Sequence, residues 1–269
     1  MFRIAHVGAA VAAGAFLMQA AQANAQQADP PSEGIFGWSV AATLQLRVAP
    51  DYMGSKTYSV GPGGSLSLSR PGVAPVFIAP DDSPSLHLIG DPSLNTGVVL
   101  RWRSSRDDHD RLRGFDKIDW AVEPGAFVNW WPVDALRIRA EVRHGFGGNR
   151  AWMADLSADA VYRDATWVLS IGPRAHWAES KFTQTYFGVT PLEAARSPFG
   201  IGAYAGDGTF SSAGLLASAE YRWTPRWSIV ADSEYHRLMG SAAGSPIVAI
   251  LGSRDQFSTA LGVKYIFGR

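Results

Sequence analysis

The sequence predicts an all-β fold: a transmembrane antiparallel β-barrel of about twelve strands, or about ten if residues 73–90 are not a hairpin, with short periplasmic turns and long extracellular loops. Three observations predict it. Segment after segment alternates an apolar, aromatic-tipped face with a charged one. The connections alternate short and long. The tail, residues 256–267, carries the alternation through to Tyr265-x-Phe267. Period two alone fits a soluble sandwich or a lipocalin-like barrel equally well, because it does not say which face is wet. An export signal, aromatic strand ends and charge-paired polar faces favour the membrane form, in which closed strands satisfy their backbone in lipid and share a wet lumen.

Composition agrees. Lys+Arg and Asp+Glu balance at 24 each in 269 residues, which argues against a nucleic-acid partner. There is no cysteine, hence no disulfide framework and no thiolate metal site. Trp 10, Phe 13 and Tyr 8 are a load that aromatic girdles would use. After residue 25 no apolar run of about twenty residues occurs, so no transmembrane helix is expected there.

Residues 1–25 read as a secretory signal: Arg3 and His6, an Ala-rich apolar core, then Ala23-Asn24-Ala25 as a small-x-small cleavage site. Residues 26–34 form a polar leader and residues 35–269 the barrel. Residues 36–48 set Val40, Ala42, Leu44, Leu46 and Val48 against Ser39, Thr43, Gln45 and Arg47. A loop at 49–56 precedes residues 58–69, where Gly61, Gly63 and Gly64 point to a bend or bulge. Residues 73–79 and 85–90 could be two short strands about the turn Pro80-Asp81-Asp82-Ser83, or an irregular excursion. Residues 95–103 are a strand. The charged stretch 104–117 reads as a solvated loop. Its Asp107, Asp108, His109 and Asp110 are consecutive, which rarely gives the geometry a metal needs. Three hairpins follow: 118–130 with 136–144, 154–162 with 167–177, and 213–223 with 227–235. Their turns are Trp131-Pro132-Val133-Asp134, Arg163-Asp164-Ala165 and Thr224-Pro225-Arg226. In the first hairpin Ile118, Trp120, Val122, Ala126, Val128 and Trp130 are expected to face outward. Long connections at 178–207 and 238–255 precede the closing strand.

Turning the apolar faces to lipid turns Asp119, Glu123, Arg137, Arg139, Glu141, Arg143, Asp155, Asp159, Arg174, His176, Glu220, Arg222, Asp232, Glu234 and His236 inward. Side chains in a narrow barrel must pair, so these are expected to form a lumenal charge network. Such a network is either a plug or the selectivity filter of a narrow pore.

A hydrolase would need Ser, His and an acid within hydrogen-bond reach. His176 and His236 share a face with Ser170, Asp232 and Glu234, yet no nucleophile motif surrounds the serine. His87, His109 and His144 fall at strand ends or in loops, where a solvated imidazole is the plainer reading. The glycines at 145–148 and 206–208 lead into no helix and are not phosphate loops. No catalytic residue, cofactor or metal is expected.

Pro50-Asp51-Tyr52-Met53-Gly54-Ser55, Tyr186-Phe187-Gly188-Val189-Thr190, the run from Arg237 through Ser245-Pro246-Ile247-Val248, and the ending Gly262-x-x-Tyr265-x-Phe267 resemble the MipA/OmpV family of outer-membrane proteins. The motif positions are Tyr52, Gly54, Ser55, Tyr186, Phe187, Gly188, Ser245, Pro246, Tyr265 and Phe267. The resemblance covers nearly all of the mature chain and is clearest over 186–267. It implies a non-enzymatic scaffold in the cell outer membrane. The family's namesake is described as tying a membrane-bound lytic transglycosylase to a bifunctional penicillin-binding protein. The implied partners are therefore outer-membrane lipid and periplasmic or lipoprotein murein enzymes. Other members resemble adhesion, solute-uptake or antibiotic-response proteins, which leaves a narrow pore as the alternative. Two departures stand out: Gly268 and Arg269 follow the Phe on which members usually end, and residues 70–94 fit the family's early strands poorly. The resemblance carries over no catalytic residue.

Overall fold

A computed structural model describes residues 38–69 and 77–267. The expected signal and leader, residues 1–34, lie outside the described residues, as do residues 70–76 and the last two. The described chain forms one 12-stranded sheet. Its strands are β1 (Ser39–Pro50), β2 (Tyr58–Ser69), β3 (Ser85–Gly90), β4 (Leu94–Arg103), β5 (Ala121–Val133), β6 (Leu136–His144), β7 (Phe146–Gly147), β8 (Trp152–Arg163), β9 (Trp167–Ala178), β10 (Phe210–Arg222), β11 (Trp227–Met239) and β12 (Asp255–Phe267). Pairing of β1 with β12, from Val40↔Phe267 to Val48↔Thr259, and of β4 with β5 closes the sheet into a barrel. Eleven strands make the ring, and the stub β7 pairs outside it on the end of β5. For a ring of this size, strand spacing and tilt give a backbone radius of roughly 11 Å.

The odd count has a local cause. Every neighbouring pair in the ring is antiparallel except β2 and β3, which run parallel through Ser67↔Ser85, Leu68↔Leu86 and Ser69↔His87. The described chain resumes after β2 at Phe77. It re-emerges inside the barrel, where Phe77–Ala79 adopt no strand and Phe77, Ala79 and Ser83 are buried. The excursion, and not the hairpin, is therefore what the structure contains at 77–84.

Three short turns are built alike. Asp91 Oδ1 accepts from the Ser93 and Leu94 amides, Asp164 Oδ1 from Thr166 and Trp167, and Thr224 Oγ1 from Arg226 and Trp227. A short polar side chain that bonds its own backbone two or three residues on substitutes for a fourth turn residue and keeps the connection tight. Just above these turns sits one aromatic belt. It contains Trp130, Trp167 against Tyr221 (5.0 Å), Trp223, Trp227 against Tyr265 (4.7 Å), and Phe267. A second belt holds Trp102 stacked on Trp120 (4.5 Å), Trp152, Trp177, Tyr235 and Phe257. From Trp167 to Trp177 along β9 is roughly 34 Å of strand, or about 26 Å of height at barrel tilt, which matches the apolar band of an outer-membrane barrel. Between the belts Leu44, Leu100, Leu156, Ile171, Leu215, Ile229 and Leu261 are exposed. Alternate residues of the same strands carry the polar groups inward.

The long connections fold over the other mouth. They contain a 3₁₀ turn (Asp110–Leu112) and helices α1 (Ser180–Phe187), α2 (Pro191–Arg196), α3 (Gly240–Gly244) and α4 (Pro246–Ala249). Thr190 starts α2 with a capping box: its side chain accepts from the Glu193 amide while the Glu193 carboxylate accepts from Thr190. Two apolar clusters hold this cap together. One joins Ile118, Phe182, Tyr186, Phe187, Phe210, Leu238 and Val248; the other joins Leu112, Phe115, Val189, Ile201, Ile247 and Leu251. Ile118, expected on the lipid face, is buried here because β5 begins only at Ala121. Asp119 for the same reason is exposed in the connection and does not face the lumen.

Candidate functional site

The interior divides into a floor, a chamber and a roof. The floor is ionic. Arg137 on β6 is fully buried; it reaches Asp82 at 2.6 Å and Asp159 at 3.2 Å, and bonds Asn129 Oδ1. Arg139 pairs with Glu141 (2.9 Å) and Asp82 (3.5 Å) and lies 4.0 Å from the Phe127 ring centroid. Arg174 on β9 bridges Asp81 and Asp159, both at 2.7 Å. Arg143 bonds Glu123 (2.7 Å) and Asp155 and is ion-paired with Glu141 (2.8 Å). Arg101 from β4 donates to Ser83 Oγ (2.9 Å) and the Asp81 carbonyl (2.8 Å), and Ser83 Oγ donates to Glu141. The inward segment 77–84 thus sits as a central post, and arginines from three walls converge on it. Alternating charge lets each buried ion keep partners on several sides, which is what burial of ions requires.

Below the floor the post is apolar. Phe77 and Ala79 pack with Trp131, Val161 and Val168. Trp131, expected in a turn, points inward from the last part of β5 to complete this cluster. Beside it, near the Lys264–Glu220 pair (2.7 Å), remains a void of only about 30 Å³. That is room for about one water.

Above the floor lies a chamber of about 550 Å³. Arg47, Arg101, Arg103, Asp155, His176, Glu234 and His236 line its lower wall. His176 Nδ1 is 2.8 Å from Asp155, His236 Nδ1 is 3.6 Å from Glu234, and the two imidazoles stand 6.1 Å apart. Arg47 holds Glu234 at 2.9 Å. Met53, Phe182 and Phe210 form the apolar upper wall and belong to the packed roof. Arg103 joins the two levels, pairing with Glu123 at 2.5 Å while lying 5.1 Å over the Phe182 ring.

The three motif stretches meet in the roof. Gly54 has φ +92, and a Cβ there would come 2.7 Å from Val248 and 3.5 Å from Phe187. Its amide donates to Gln256 Oε1 (2.9 Å), whose Nε2 returns to the Ser55 carbonyl (3.1 Å). Ser245 Oγ donates to the Phe187 carbonyl (2.6 Å) and caps α4, with Pro246 in the first helical turn. Gly188 closes α1 through the Thr183 and Gln184 carbonyls. Burial in this cap pushes the Tyr52 and Tyr186 hydroxyls above the ordinary phenol value. Tyr265 and Phe267 lie at the opposite mouth, in the lower belt, 4.6 Å apart.

Of the residues expected in the lumen, Glu123, Arg137, Arg139, Glu141, Arg143, Asp155, Asp159, Arg174 and His176 come together in one network. Glu234 and His236 join its edge, and Asp232 accepts from Gln45 (2.7 Å) further down. Glu220 pairs with Lys264, and Arg222 donates to the Asp164 carbonyl (2.9 Å) at the lower rim. Sequence reasoning missed Asp81 and Asp82, which read as turn residues, and Arg47, Arg101 and Arg103, whose inward alternation was visible on β1 and β4. His87, expected in solvent, is buried and bonded to Asn95 (3.0 Å) and Ser85 (3.2 Å). That trio lines neither the chamber nor the lower void. Ser170 bonds Ser218 (2.7 Å) and not a histidine.

Similar solved folds include the COG4313 outer membrane channel from Pseudomonas putida F1, at 11% identity and TM-score 0.44, covering 91% of this chain and 100% of that one. OmpT of Vibrio cholerae aligns at 8% identity and TM-score 0.38, covering 86% and 97%. The outer membrane protease OmpT from Escherichia coli aligns at 10% identity and TM-score 0.33, covering 86% and 96%. No curated protein matches the chain in sequence. The family model described as MltA-interacting protein MipA matches residues 42–267, from within β1 to the end of β12, and the chain therefore belongs to the MipA family of outer-membrane barrels.

Proposed function

We propose that this barrel is a non-enzymatic interaction scaffold for peptidoglycan-remodelling enzymes, a lytic transglycosylase and a penicillin-binding protein, and that it does not conduct. One observation carries the reading: the lumen is crossed by an ion-paired floor around the 77–84 post, with an apolar cluster and a void of only about 30 Å³ beneath it. A floor of this kind bars passage from one mouth to the other and favours a role for the outer surfaces. The family's printed name, MltA-interacting, supports a murein-enzyme partner. Residues 1–25 act as a cleaved signal in this reading, leaving residues 35–269 as the barrel. The test is mild crosslinking in intact cells followed by co-purification. Enrichment of a lytic transglycosylase is expected, and its absence under conditions that retain known envelope complexes would end the scaffold reading. The second reading, a narrow pore, draws on the chamber above the floor, and ion passage through the intact barrel would belong to it.

A further inference from the structure

The barrel wall is not bridged evenly. Strand β3 meets β2 only at Ser67–Ser69, and meets β4 from Asn95 to Val99, with one further bond from the Leu100 amide to the Pro84 carbonyl (3.0 Å). Above that level the chain leaves the wall for the interior post. Among the described residues no strand and no backbone hydrogen bond spans the interval between residues 58–66 of β2 and residues 101–103 of β4. Half of the backbone groups of a strand point to each side, so β2 turns a row of N–H and C=O groups into this notch. Such groups cannot face hydrocarbon unpaired without a cost of several kcal/mol each. Such a notch suits water or polar ligand groups.

The notch also meets the chamber. Gly64 on its β2 side, Trp102 on its β4 side and Pro84 at its lower corner all line the 550 Å³ space. The packed roof lies above the chamber and the ionic floor below it, and the unbridged notch stands at its side. Val60, Leu66, Leu100 and Trp102 are exposed on the outer lips. Immediately behind the lips stand cations: Arg47, whose stem lies against Gly63, on one side, and Arg101 and Arg103 on the other. Their side chains keep 23–29% exposure, whereas the network carboxylates Glu123, Glu141, Asp155, Glu234 and Asp81 keep 0–20%. Three guanidinium groups, with the imidazoles of His176 and His236 at 22% and 26%, thus make up most of the accessible polar surface inside the opening, with an apolar wall of Met53, Phe182 and Phe210 beyond.

We infer that the chamber is a binding site for a single-chain anionic amphiphile of the fatty-acid class, taken sideways from the membrane through the β2–β4 notch. The headgroup sits among Arg47, Arg101 and Arg103, where each charge-assisted bond forms out of bulk water, and the chain follows the apolar lips or the apolar wall. No chemistry is required of the protein.

The probe is dodecanoate bearing a terminal diazirine, photolysed with the full-length protein in phospholipid vesicles and mapped by mass spectrometry. Labelling is expected to saturate and to concentrate on residues 60–64 and 101–102 and on Met153 or Phe210. Unlabelled dodecanoate should displace it, and dodecyltrimethylammonium at equal concentration should not. Equal, unsaturable labelling of the far wall at Leu169 and Ile229 would overturn the proposal, as would equal competition by the cationic amphiphile. Arg101→Gln, checked by heat-modifiability for a native barrel, should weaken dodecanoate binding about tenfold, the loss of one charge-assisted bond. Unchanged binding by a folded Arg101→Gln protein would remove the headgroup assignment.

Discussion

Replacing Asp82 by alanine removes the carboxylate that pins the lumenal post. Asp82 accepts from Arg137 at 2.6 Å and from the Ala79 amide at 3.0 Å, and lies 3.5 Å from Arg139. Both arginines are almost completely buried. Breaking a buried pair from one side costs about 3–5 kcal/mol, because the remaining charge is left without compensation. Here Arg137 keeps Asp159, Arg139 keeps Glu141, and the chamber can admit water, so the lower end, about 3 kcal/mol, applies. For a chain of this size that is a fall of roughly 6–12 °C in the midpoint of the heat-induced gel shift. Arg137→Met alone should also destabilise. The double variant should cost less than the sum by about 1–3 kcal/mol, the coupling of two groups in direct contact. Asp116→Ala is the control: its bond to Arg196 is 2.6 Å long but exposed, and its loss should stay within about 0.5 kcal/mol. If Asp82→Ala melts no differently from Asp116→Ala, the post is not held by the floor and the reasoning fails.

Gly54→Ala should loosen the cap by about 1–3 kcal/mol, since alanine disfavours φ +92 and its methyl meets Val248; faster protease nicking of the 178–207 connection on intact cells would register it. Ser245→Ala loses both the bond to Phe187 and the cap of α4, about 1–2 kcal/mol, and the same proteolysis assay should rank it beside Gly54→Ala. In the short turns, the Ser93 hydroxyl and amide hold the Asp91 carboxyl below the usual carboxylate range, and the Trp167 and Thr166 amides do the same for Asp164. A depressed folded value means stabilisation that is present above the unfolded carboxylate range and is lost as pH falls through the folded value. Asp91→Ala and Asp164→Ala should therefore lower the midpoint at neutral pH and converge on wild type at strongly acidic pH. A gap that persists in acid would show that turn geometry and not charge is responsible.

The barrel was legible in the sequence because each strand carries its own evidence. In β12 the outward set Phe257, Leu261, Val263 and Phe267 and the inward set Ser258, Ala260 and Lys264 follow from period two alone. The arginines of β6 were legible for the same reason. The post was not. Pro80-Asp81-Asp82-Ser83 has the composition of an exposed turn, and its partners Arg137 and Arg174 lie far along the chain, so no local pattern marks Asp81 and Asp82 as ligands of buried guanidinium groups. The parallel pairing of β3 follows from that same inward path. The roof shows the opposite case: Tyr52-Met53-Gly54-Ser55, Tyr186-Phe187-Gly188 and Ser245-Pro246 stood out singly as turn chemistry, and only the fold brings Gly54, Phe187 and Val248 into one contact. Ile118 and Asp119 were misplaced by carrying the β5 alternation back past the start of the strand at Ala121.

Planar-bilayer recording on protein that shows a native gel shift is the most direct measurement of the closed lumen. The floor and the apolar cluster around Phe77, with a void of about 30 Å³ beside that cluster, lead to a flat current trace. Steady, ohmic channels from the same heat-modifiable sample would contradict the account and make the ionic network a filter instead of a plug.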